Sequence, residues 1–338
     1  MPEAVMDYAV AELTDGSVVR TPYWRIASGR DGEDFLVIAA QHGNEVQGCE
    51  VIRRFRQVCE QRLEAGNVWL VPFANRPAIH HRRSHINLGP EQPYGDAQGH
   101  NMNTTWPGDP AGNDTSRVVH SLHEAVARHC TRCLDLHSWS RFTATAALTR
   151  RDGGLCEDMA RASAIRFVQW RNAQPAAPDG PRTIGMLFND SGRGAVSIEL
   201  APQWVIRGKE VALGLRAATN FAILFGMMAG EMELLDEQVC FDRYAEEDKP
   251  RQHEVRAPFA GIFVEAGLET SDRVEQGQYL GRLFRDDNLQ SAEVLAPATG
   301  YLWEYGSHRA DCDVGLPGQH PYTDPGDVLA IIIEPRGR

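Results

Sequence analysis

The sequence predicts an α/β fold for residues 1–240, followed by a smaller all-β domain over residues 250–338. Strand-length apolar runs alternate with amphipathic helical segments through the first two thirds of the chain, the pattern of helices flanking a central sheet. Beyond residue 241, short β-rich runs are separated by glycine and proline, and no helix of useful length is visible. The length of 338 residues also fits about two domains.

Five segments of the first domain are predicted as strands. The first reads FLVIAA, and such continuous apolar strands are typical of a sheet buried on both faces. The five predicted strands are residues 35–40, 68–73, 134–136, 143–148 and 195–200.

Four segments between these strands are predicted as helices. In the first, Val46, Ile52, Phe55 and Cys59 lie near one helical face with charged residues between them. The four predicted helices are residues 44–63, 116–129, 158–170 and 210–228.

Two irregular regions complete the organisation. Residues 241–252 are polar and contain proline, as expected of a linker between domains. Residues 75–112 form a long loop-rich segment, and such a segment in a compact domain is usually functional. In the all-β domain the runs APFAGIF and APATGYL resemble each other, which predicts an internal pseudo-repeat of strands.

Charge and composition exclude several classes of partner. The net charge is 34 − 46 = −12, which argues against a nucleic-acid or anionic-membrane binder. The seven cysteines are scattered, no secretion signal is visible, and the longest apolar run, residues 217–230, is too short for a bilayer. We therefore expect a cytoplasmic protein with reduced thiols.

The ends of two predicted strands carry the residue types of a catalytic metal site. His42 and Glu45 follow the first strand, and their separation of three places both side chains on one side of a turn. His137 follows the strand 134–136. Two histidines and one glutamate form an open catalytic zinc site, although the set suits several divalent ions. We predict one ion per chain.

Acid–base and charge-stabilising groups are predicted nearby. Glu199 lies in an apolar strand, where an isolated carboxylate is costly, and is the candidate general base. Arg82 and Arg83, in the long loop, are candidates for stabilising the negative charge of a tetrahedral intermediate. Each feature alone has an ordinary structural explanation, and their joint order at strand ends favours a catalytic site.

In this order the residues resemble the succinylglutamate desuccinylase/aspartoacylase family of zinc-dependent deacylases. The family motif His-Gly-x-Glu is matched at residues 42–45, and Asp-Leu-His at residues 135–137. The catalytic segment of the type Val-Glu-Val-Gly-Pro-Gln is matched loosely at residues 198–203. The resemblance covers roughly residues 30–230. It implies a zinc-carboxypeptidase-like central mixed sheet flanked by helices.

The resemblance also implies roles for the site residues, namely three zinc ligands, one general base and one arginine that polarises the substrate carbonyl. The implied zinc ligands are His42, Glu45 and His137, and the implied general base is Glu199. The implied polarising arginine is Arg83, with Arg82 as a competitor for that role.

The middle motif departs from the family pattern at one position. Many members have Asn-x-Asn-Arg where this chain has Asn101-Met102-Asn103-Thr104. The family arginine helps to hold a substrate carboxylate, and a hydroxyl does not replace its bidentate donors. We expect Asn103 and Thr104 to contact a substrate that differs, in identity or in orientation, from those of the named members. The missing charge could come from Arg76, Arg141 or Arg193, or the bound group could be neutral.

The C-terminal domain resembles the β-barrel appended to bacterial members, related in pattern to biotinyl and lipoyl carrier domains. It is therefore expected to be barrel-sandwich-like. No lysine follows Lys249, so an attachment lysine is absent and a scaffold or lid role is favoured.

Together these features predict a zinc-dependent amide hydrolase that cleaves a small N-acylated amino acid or a related amide. A zinc carboxypeptidase acting on short peptides is the alternative enzyme, and a related site could also condense an amine with an acyl donor. A metal-binding or ligand-binding protein without catalysis is the alternative from another class. The acyl group, the amine and any homo-oligomer are left open.

Overall fold

The computed structural model describes residues 2–86, 100–139, 143–171, 180–242, 245, 248–308 and 321–335. Nine strands form one large mixed sheet in the order β1-β2-β4-β3-β5-β8-β6-β7-β9. Their bounds are β1 (Glu3–Glu12), β2 (Val18–Ala27), β3 (Asp34–Ala39), β4 (Asn67–Val71), β5 (Arg132–Ser138), β6 (Ala146–Thr149), β7 (Phe167–Trp170), β8 (Gly194–Leu200) and β9 (Val239–Asp242).

Helices cover both faces of this sheet, as predicted. Their bounds are α1 (Gln47–Arg62), α2 (Arg76–His81), α3 (Asp114–Ala125), α4 (Leu155–Ala162), α5 (Ile184–Asp190) and α6 (Gly208–Leu224). Helices α1, α4 and α6 pack on one face, with Phe55 and Phe221 in the core. Helices α3 and α5 pack on the other face, with Val119 and Phe188 in the core.

The five predicted strands are all present, and three of the four predicted helices match α1, α3 and α6 within a few residues. The helix predicted over residues 158–170 is correct as far as Ala162 and wrong beyond it. The helix α4 ends at Ala162, and Ala164 has a φ of 52°, which turns the chain into β7. Phe167 and Val168 are fully buried in that strand, where aromatic and β-branched residues pack well.

The hairpin of β1 and β2 carried no clear sequence signal. The two strands pair antiparallel over ten residues each, and β2 joins the sheet through β4. In β1 the side chains of residues 3–7 are exposed, and only Ala9 and Ala11 are buried. The strand therefore lacks the alternation of apolar and polar residues that marks a half-buried strand.

The residues beyond the predicted linker form two four-stranded antiparallel sheets. Their orders are β10-β17-β15-β12 and β14-β13-β11-β16. The bounds are β10 (Arg251–Arg256), β11 (Gly261–Glu265), β12 (Arg273–Val274), β13 (Tyr279–Phe284), β14 (Ser291–Leu295), β15 (Gly300–His308), β16 (Tyr322–Thr323) and β17 (Val328–Glu334).

The predicted pseudo-repeat corresponds to the relation between these two sheets. If the first four strands are matched in order to the last four, β10 corresponds to β14 and β11 to β15. The same rule matches β12 to β16 and β13 to β17, and it converts one sheet order into the other. Each sheet therefore takes strands from both halves of the domain.

The all-β domain packs against the large sheet through a shared apolar core. Trp303 of β15 meets Phe167 of β7 with ring centroids 4.9 Å apart, and it meets Phe241 of β9 at 6.0 Å. The Ala144 amide donates a hydrogen bond to the Trp303 carbonyl at 2.7 Å. The two parts of the chain are thus joined beside β6 and β7.

Within the described ranges, no helix combines the length and the apolar character that crossing a bilayer requires. The cytoplasmic location and the state of association stay predictions.

Candidate metal centre and active site

The site lies where three neighbouring strands end. Strands β3, β5 and β8 are parallel neighbours in the sheet. In such sheets, binding crevices form outside the carboxyl ends of the strands. His42 follows β3, His137 lies near the end of β5, and Glu199 lies near the end of β8. The sheet order therefore brings together side chains that are about 60 to 160 residues apart in sequence.

The turn after β3 packs directly on α2 and on the residues that follow it. A Cβ added to Gly43 would lie 2.3 Å from the Ala78 carbonyl carbon and 2.4 Å from the Arg83 carbonyl oxygen. Any larger residue would push these segments apart. The Glu45 amide donates to the His42 carbonyl at 3.1 Å, which closes the turn and points both side chains towards β5.

His42, Glu45 and His137 form a compact group of possible metal ligands. One candidate ligand atom from each lies within 4.8 Å of the other two. Glu45 Oε1 lies 3.0 Å from His42 Nδ1, and Glu45 Oε2 lies 2.9 Å from His137 Nδ1. Burial acts to raise the pKa of Glu45, but the two imidazoles outweigh it and hold that pKa well below its usual range.

Further polar groups contact the second ring nitrogen of each imidazole, the one that does not face Glu45. His137 Nε2 lies 2.9 Å from Asp135 Oδ2, and His42 Nε2 lies 3.0 Å from Asn101 Oδ1. Gln41 donates to Asp135 at 2.8 Å and accepts from the Trp106 indole at 2.7 Å. Such outer partners orient ligand imidazoles and set which nitrogen faces the metal.

Gln203 is a site residue that sequence reasoning missed. Its Nε2 donates to Glu45 Oε1 at 3.2 Å and to the Ser138 carbonyl at 2.8 Å. The Ser138 amide donates to Glu45 Oε2 at 3.1 Å. The available signal was the position of Gln203 four residues after Glu199, in the segment that leaves β8.

The donor set fits a catalytic divalent ion. Two imidazoles and one carboxylate are the protein ligands of open catalytic zinc sites, and the outer partners found here are the usual ones. Among the described residues, this is the one group of three or more histidine, cysteine or acidic side chains with such spacing.

Glu199 lies beside this group without belonging to it. It is paired in register with His137 across β5 and β8. Burial raises the pKa of Glu199 to about 7, and the Glu45 carboxylate acts in the same direction, while His137 and Arg171 oppose it. A carboxyl that gains and loses a proton near neutral pH suits general acid–base chemistry.

The two candidate arginines differ in their placement. Arg82 is exposed and has a φ of 54°, and its amide caps the end of α2. Arg83 is half-buried, its amide donates to the Ala78 carbonyl at 3.0 Å, and its carbonyl lies against Gly43. The backbone of Arg83 therefore lies against the turn that carries His42 and Glu45.

The middle motif contributes a short 3-10 turn over Met102–Thr104. The Asn103 side-chain oxygen is buried and has no hydrogen-bond partner among the described residues. Thr104 is exposed, and its hydroxyl donates to the Asn101 carbonyl at 3.3 Å. The hydroxyl at position 104 thus serves the turn itself.

Two of the three arginines considered as replacements are engaged in other contacts. Arg76 donates to the Arg20 carbonyl at 2.6 Å. Arg193 donates to the carbonyls of Ala127 and Cys130, both at 3.1 Å. Arg141 lies outside the described residues.

His85 also contacts the group of possible metal ligands. It is buried, and its ring meets the His42 ring edge-on with centroids 5.3 Å apart. The adjacent Ser84 carbonyl accepts from the Gly43 amide at 3.2 Å. The loop after α2 therefore packs against the side of the His42 imidazole.

Comparison with known proteins gives consistent matches. Residues 31–224 match the family described as Succinylglutamate desuccinylase/Aspartoacylase catalytic domain. The N-alpha-acetyl-L-2,4-diaminobutyric acid deacetylase of Halomonas elongata is 23% identical over 324 residues, which cover 90% of this chain and 83% of that protein.

Two solved structures share the fold over nearly the whole chain. A succinylglutamate desuccinylase/aspartoacylase from Rhodobacter sphaeroides superposes with a TM-score of 0.67 at 19% identity, over 99% of this chain and 96% of that one. The product-bound ectoine utilization protein EutE of Ruegeria pomeroyi superposes with a TM-score of 0.65 at 18% identity, over 98% of each chain.

Proposed function

The chain belongs to the succinylglutamate desuccinylase/aspartoacylase family, and from this premise we propose that it is a zinc-dependent amide hydrolase. Its substrate is a small N-acylated amino acid or a related amide. The observation that carries the proposal is the position of Glu199, which lies in register with His137 beside a His-Glu-His group. A protein that only stored metal would have no use for a carboxyl placed in this way.

His42, Glu45 and His137 hold the ion in this proposal. When bound, zinc polarises a carbonyl group and makes water acidic near neutral pH. Glu199 takes a proton from the attacking water and passes it to the leaving nitrogen as the amide bond breaks. Arg83 stabilises the negative charge that develops on the former carbonyl oxygen, with Arg82 as the less favoured candidate.

Asn103 orients the polar end of the substrate in the same proposal. Its buried, unpartnered side-chain oxygen supports this role, because such an atom is costly unless a ligand satisfies it. Thr104 lies in the same turn, but its hydroxyl is hydrogen-bonded within that turn. It would therefore make only a minor contact with the substrate.

The test separates metal binding from turnover. Metal-quantified protein is assayed for amine release from a panel of N-acyl amino acids, alongside Glu199→Gln and His137→Ala. We expect Glu199→Gln to keep its metal and lose about 100-fold or more of kcat, because general base catalysis contributes about 10²–10⁴-fold. His137→Ala is expected to lose the metal. A fully active Glu199→Gln would contradict the mechanism.

A further inference from the structure

The buried side chain of Trp106, just after the 3-10 turn, is joined to the candidate metal centre by hydrogen bonds. Trp106 is fully buried, and its indole Nε1 donates to Gln41 Oε1 at 2.7 Å. Gln41 is also fully buried, and its Nε2 donates to Asp135 Oδ1 at 2.8 Å. The other oxygen of Asp135 lies 2.9 Å from His137 Nε2. Three successive contacts, the Trp106 network, therefore connect Trp106 to a candidate metal ligand.

The backbone of Trp106 is fixed by contacts away from the candidate site. Its amide donates to the Arg182 carbonyl at 3.0 Å, and the Arg182 amide donates to the Trp106 carbonyl at 3.0 Å. Arg182 lies just before α5, and Trp106 belongs to the same apolar core as Phe188 of that helix. The direction of the indole is therefore set by the packing of the α/β domain.

The chemistry of the indole determines the orientation of the Gln41 side-chain amide. An indole N–H only donates, so the Gln41 atom that it contacts is the amide oxygen. The amide nitrogen of Gln41 then faces Asp135, whose ionised carboxylate only accepts. The shape of the amide alone would not distinguish its two ends, since the oxygen and the nitrogen are of similar size. The Trp106 indole therefore directs the donor end of Gln41 to Asp135.

This orientation gives the buried carboxylate of Asp135 a defined set of donors, which a buried charge requires. Its Oδ1 accepts from Gln41, while its Oδ2 faces His137 and accepts from the Ser197 hydroxyl at 3.3 Å. Because Asp135 accepts, the neutral His137 ring carries its hydrogen on Nε2. Its Nδ1 then presents a lone pair beside Glu45. The Trp106 network thus leaves unprotonated the nitrogen that faces the other candidate ligands.

The opposite end of the same segment contacts the other imidazole directly. Asn101 Oδ1 lies 3.0 Å from His42 Nε2 and also accepts from the Asn103 amide at 3.0 Å. The segment 101–106 is thus attached to one imidazole at its start and to the other at its end. Because this segment carries Asn103, the attachment at Trp106 also fixes where that side chain lies relative to the candidate ligands.

We propose that Trp106 is a positioning residue for the metal centre, acting through Gln41 and Asp135 on His137. This inference rests on the metal-binding part of the proposed function. Without the indole N–H, the buried oxygen of Gln41 loses its donor, and such an atom favours any movement that brings it a new partner. A movement of this kind withdraws the Gln41 donor from Asp135 and loosens the orientation of the His137 ring.

The affinity for zinc, measured by competition with a chelator, tests this role. Trp106→Phe keeps an aromatic ring and removes the N–H. We expect it to weaken zinc binding about 3–10-fold, less than the loss of a direct partner of the imidazole would. Trp69→Phe is the matched control, because the Trp69 indole donates to Asp34 Oδ1 at 2.9 Å. Asp34 begins β3, at the opposite end of that strand from His42, so this control should leave zinc affinity unchanged.

Double-mutant cycles separate action through the network from a general loss of structure. Trp106→Phe should change zinc affinity little once Asp135→Asn or Gln41→Met is present, because either variant already interrupts the network. Gln41→Met alone should weaken zinc binding at least as much as Trp106→Phe, and its cycle with Asp135→Asn provides the test if Trp106→Phe does not fold. Effects that multiply in the double variants, or an unchanged zinc affinity in Trp106→Phe and Gln41→Met, would overturn the inference.

A measurement on the metal-free protein distinguishes failure of the inference from failure of the proposed function. The Trp106 indole proton is identified in the NMR spectrum by its loss in Trp106→Phe. We expect this proton to exchange slowly with solvent in wild type and faster in Gln41→Met and in Asp135→Asn. If wild type binds no zinc but these differences are found, the proposed function fails and the network stands. If zinc binds but Asp135→Asn leaves the exchange rate unchanged, the inference fails and the proposed function stands.

Discussion

At the residue scale, the candidate metal centre depends most on Glu45, because its carboxylate contacts both imidazoles. The same carboxylate accepts from the Ser138 amide and from Gln203. Four partners on two oxygens fix the carboxylate in one orientation and so define the space between His42 and His137. This arrangement makes the site preorganised, which is what a rigid ligand set requires.

Asp135 holds the far side of the His137 ring and should tune the affinity for metal. We expect Asp135→Asn to weaken zinc binding about 10–100-fold, since the charged partner that orients the imidazole is lost. Competition with a chelator measures this affinity. The control is Asp7→Asn, on the edge strand β1. Unchanged zinc affinity in Asp135→Asn would show that the aspartate does not support the ligand.

The sequence predicted His42, Glu45 and His137 as candidate metal ligands because they fall in two short segments at the ends of apolar strands, and the structure brings the three together. Glu199 was predictable for a related reason, since a carboxyl inside an apolar strand is unusual. Gln203 and Asn101 both lie in segments that match family motifs, but the residues alone indicated no role for either. Their contacts with Glu45 and His42 depend on how two loops return to the site.

At the scale of single elements, burial in the sheet determined the secondary structure of one segment whose local sequence pattern was ambiguous. Residues 158–170 could be read as one helix, because no glycine or proline interrupts them. The chain turns at Ala164, and Phe167–Trp170 then pairs between β6 and β9 as a strand. Such pairing joins residues distant in sequence, so helical periodicity within one segment could not reveal it.

Strand β15 carries a carboxyl whose ionisation should weaken the fold. Burial raises the pKa of Glu304 to about 7, and Glu254 acts in the same direction. The folded chain keeps this proton while the unfolded chain loses it at the usual pKa of 4.5, so stability falls as pH rises between about 4.5 and 7. We therefore compare the free energy of unfolding of Glu304→Gln with that of wild type. This difference should be about 1–2 kcal/mol more favourable to Glu304→Gln at pH 8 than at pH 4.5.

Urea unfolding at pH 4.5 and pH 8 measures this difference. The control is Glu293→Gln on β14, since the Glu293 side chain is 61% exposed. The prediction fails if Glu304→Gln and wild type differ by the same free energy at both pH values.

At the scale of the whole molecule, the shared core of Trp303, Phe167 and Phe241 joins the two domains. Trp303 is 8% exposed and packs edge-on against both phenylalanines. The sequence predicted an α/β sheet followed by smaller all-β sheets, and the structure confirms both. The sequence did not predict this contact, because the apolar faces of β15 and β7 would be equally satisfied inside separate domains.

This shared core should make the molecule unfold as one unit. We expect a single transition in wild type by differential scanning calorimetry. Trp303→Ala should lose about 3–5 kcal/mol of stability and separate the transition into two, because burial of the indole links the domains. Leu295→Ala, at an exposed position on β14, is the control and should keep one transition. A single transition in Trp303→Ala would show that the domains are joined by other contacts.

The packing of Phe167 on Trp303 has a consequence for how such enzymes diversify. Phe167 lies on β7, so the appended domain supports a strand of the sheet that carries the candidate site. A recombination event that exchanged the appended domain would shift that strand, even with every residue of the site retained. Lineages of this architecture are therefore expected to inherit both domains together, and laboratory selection for new substrates should recover substitutions around residue 303.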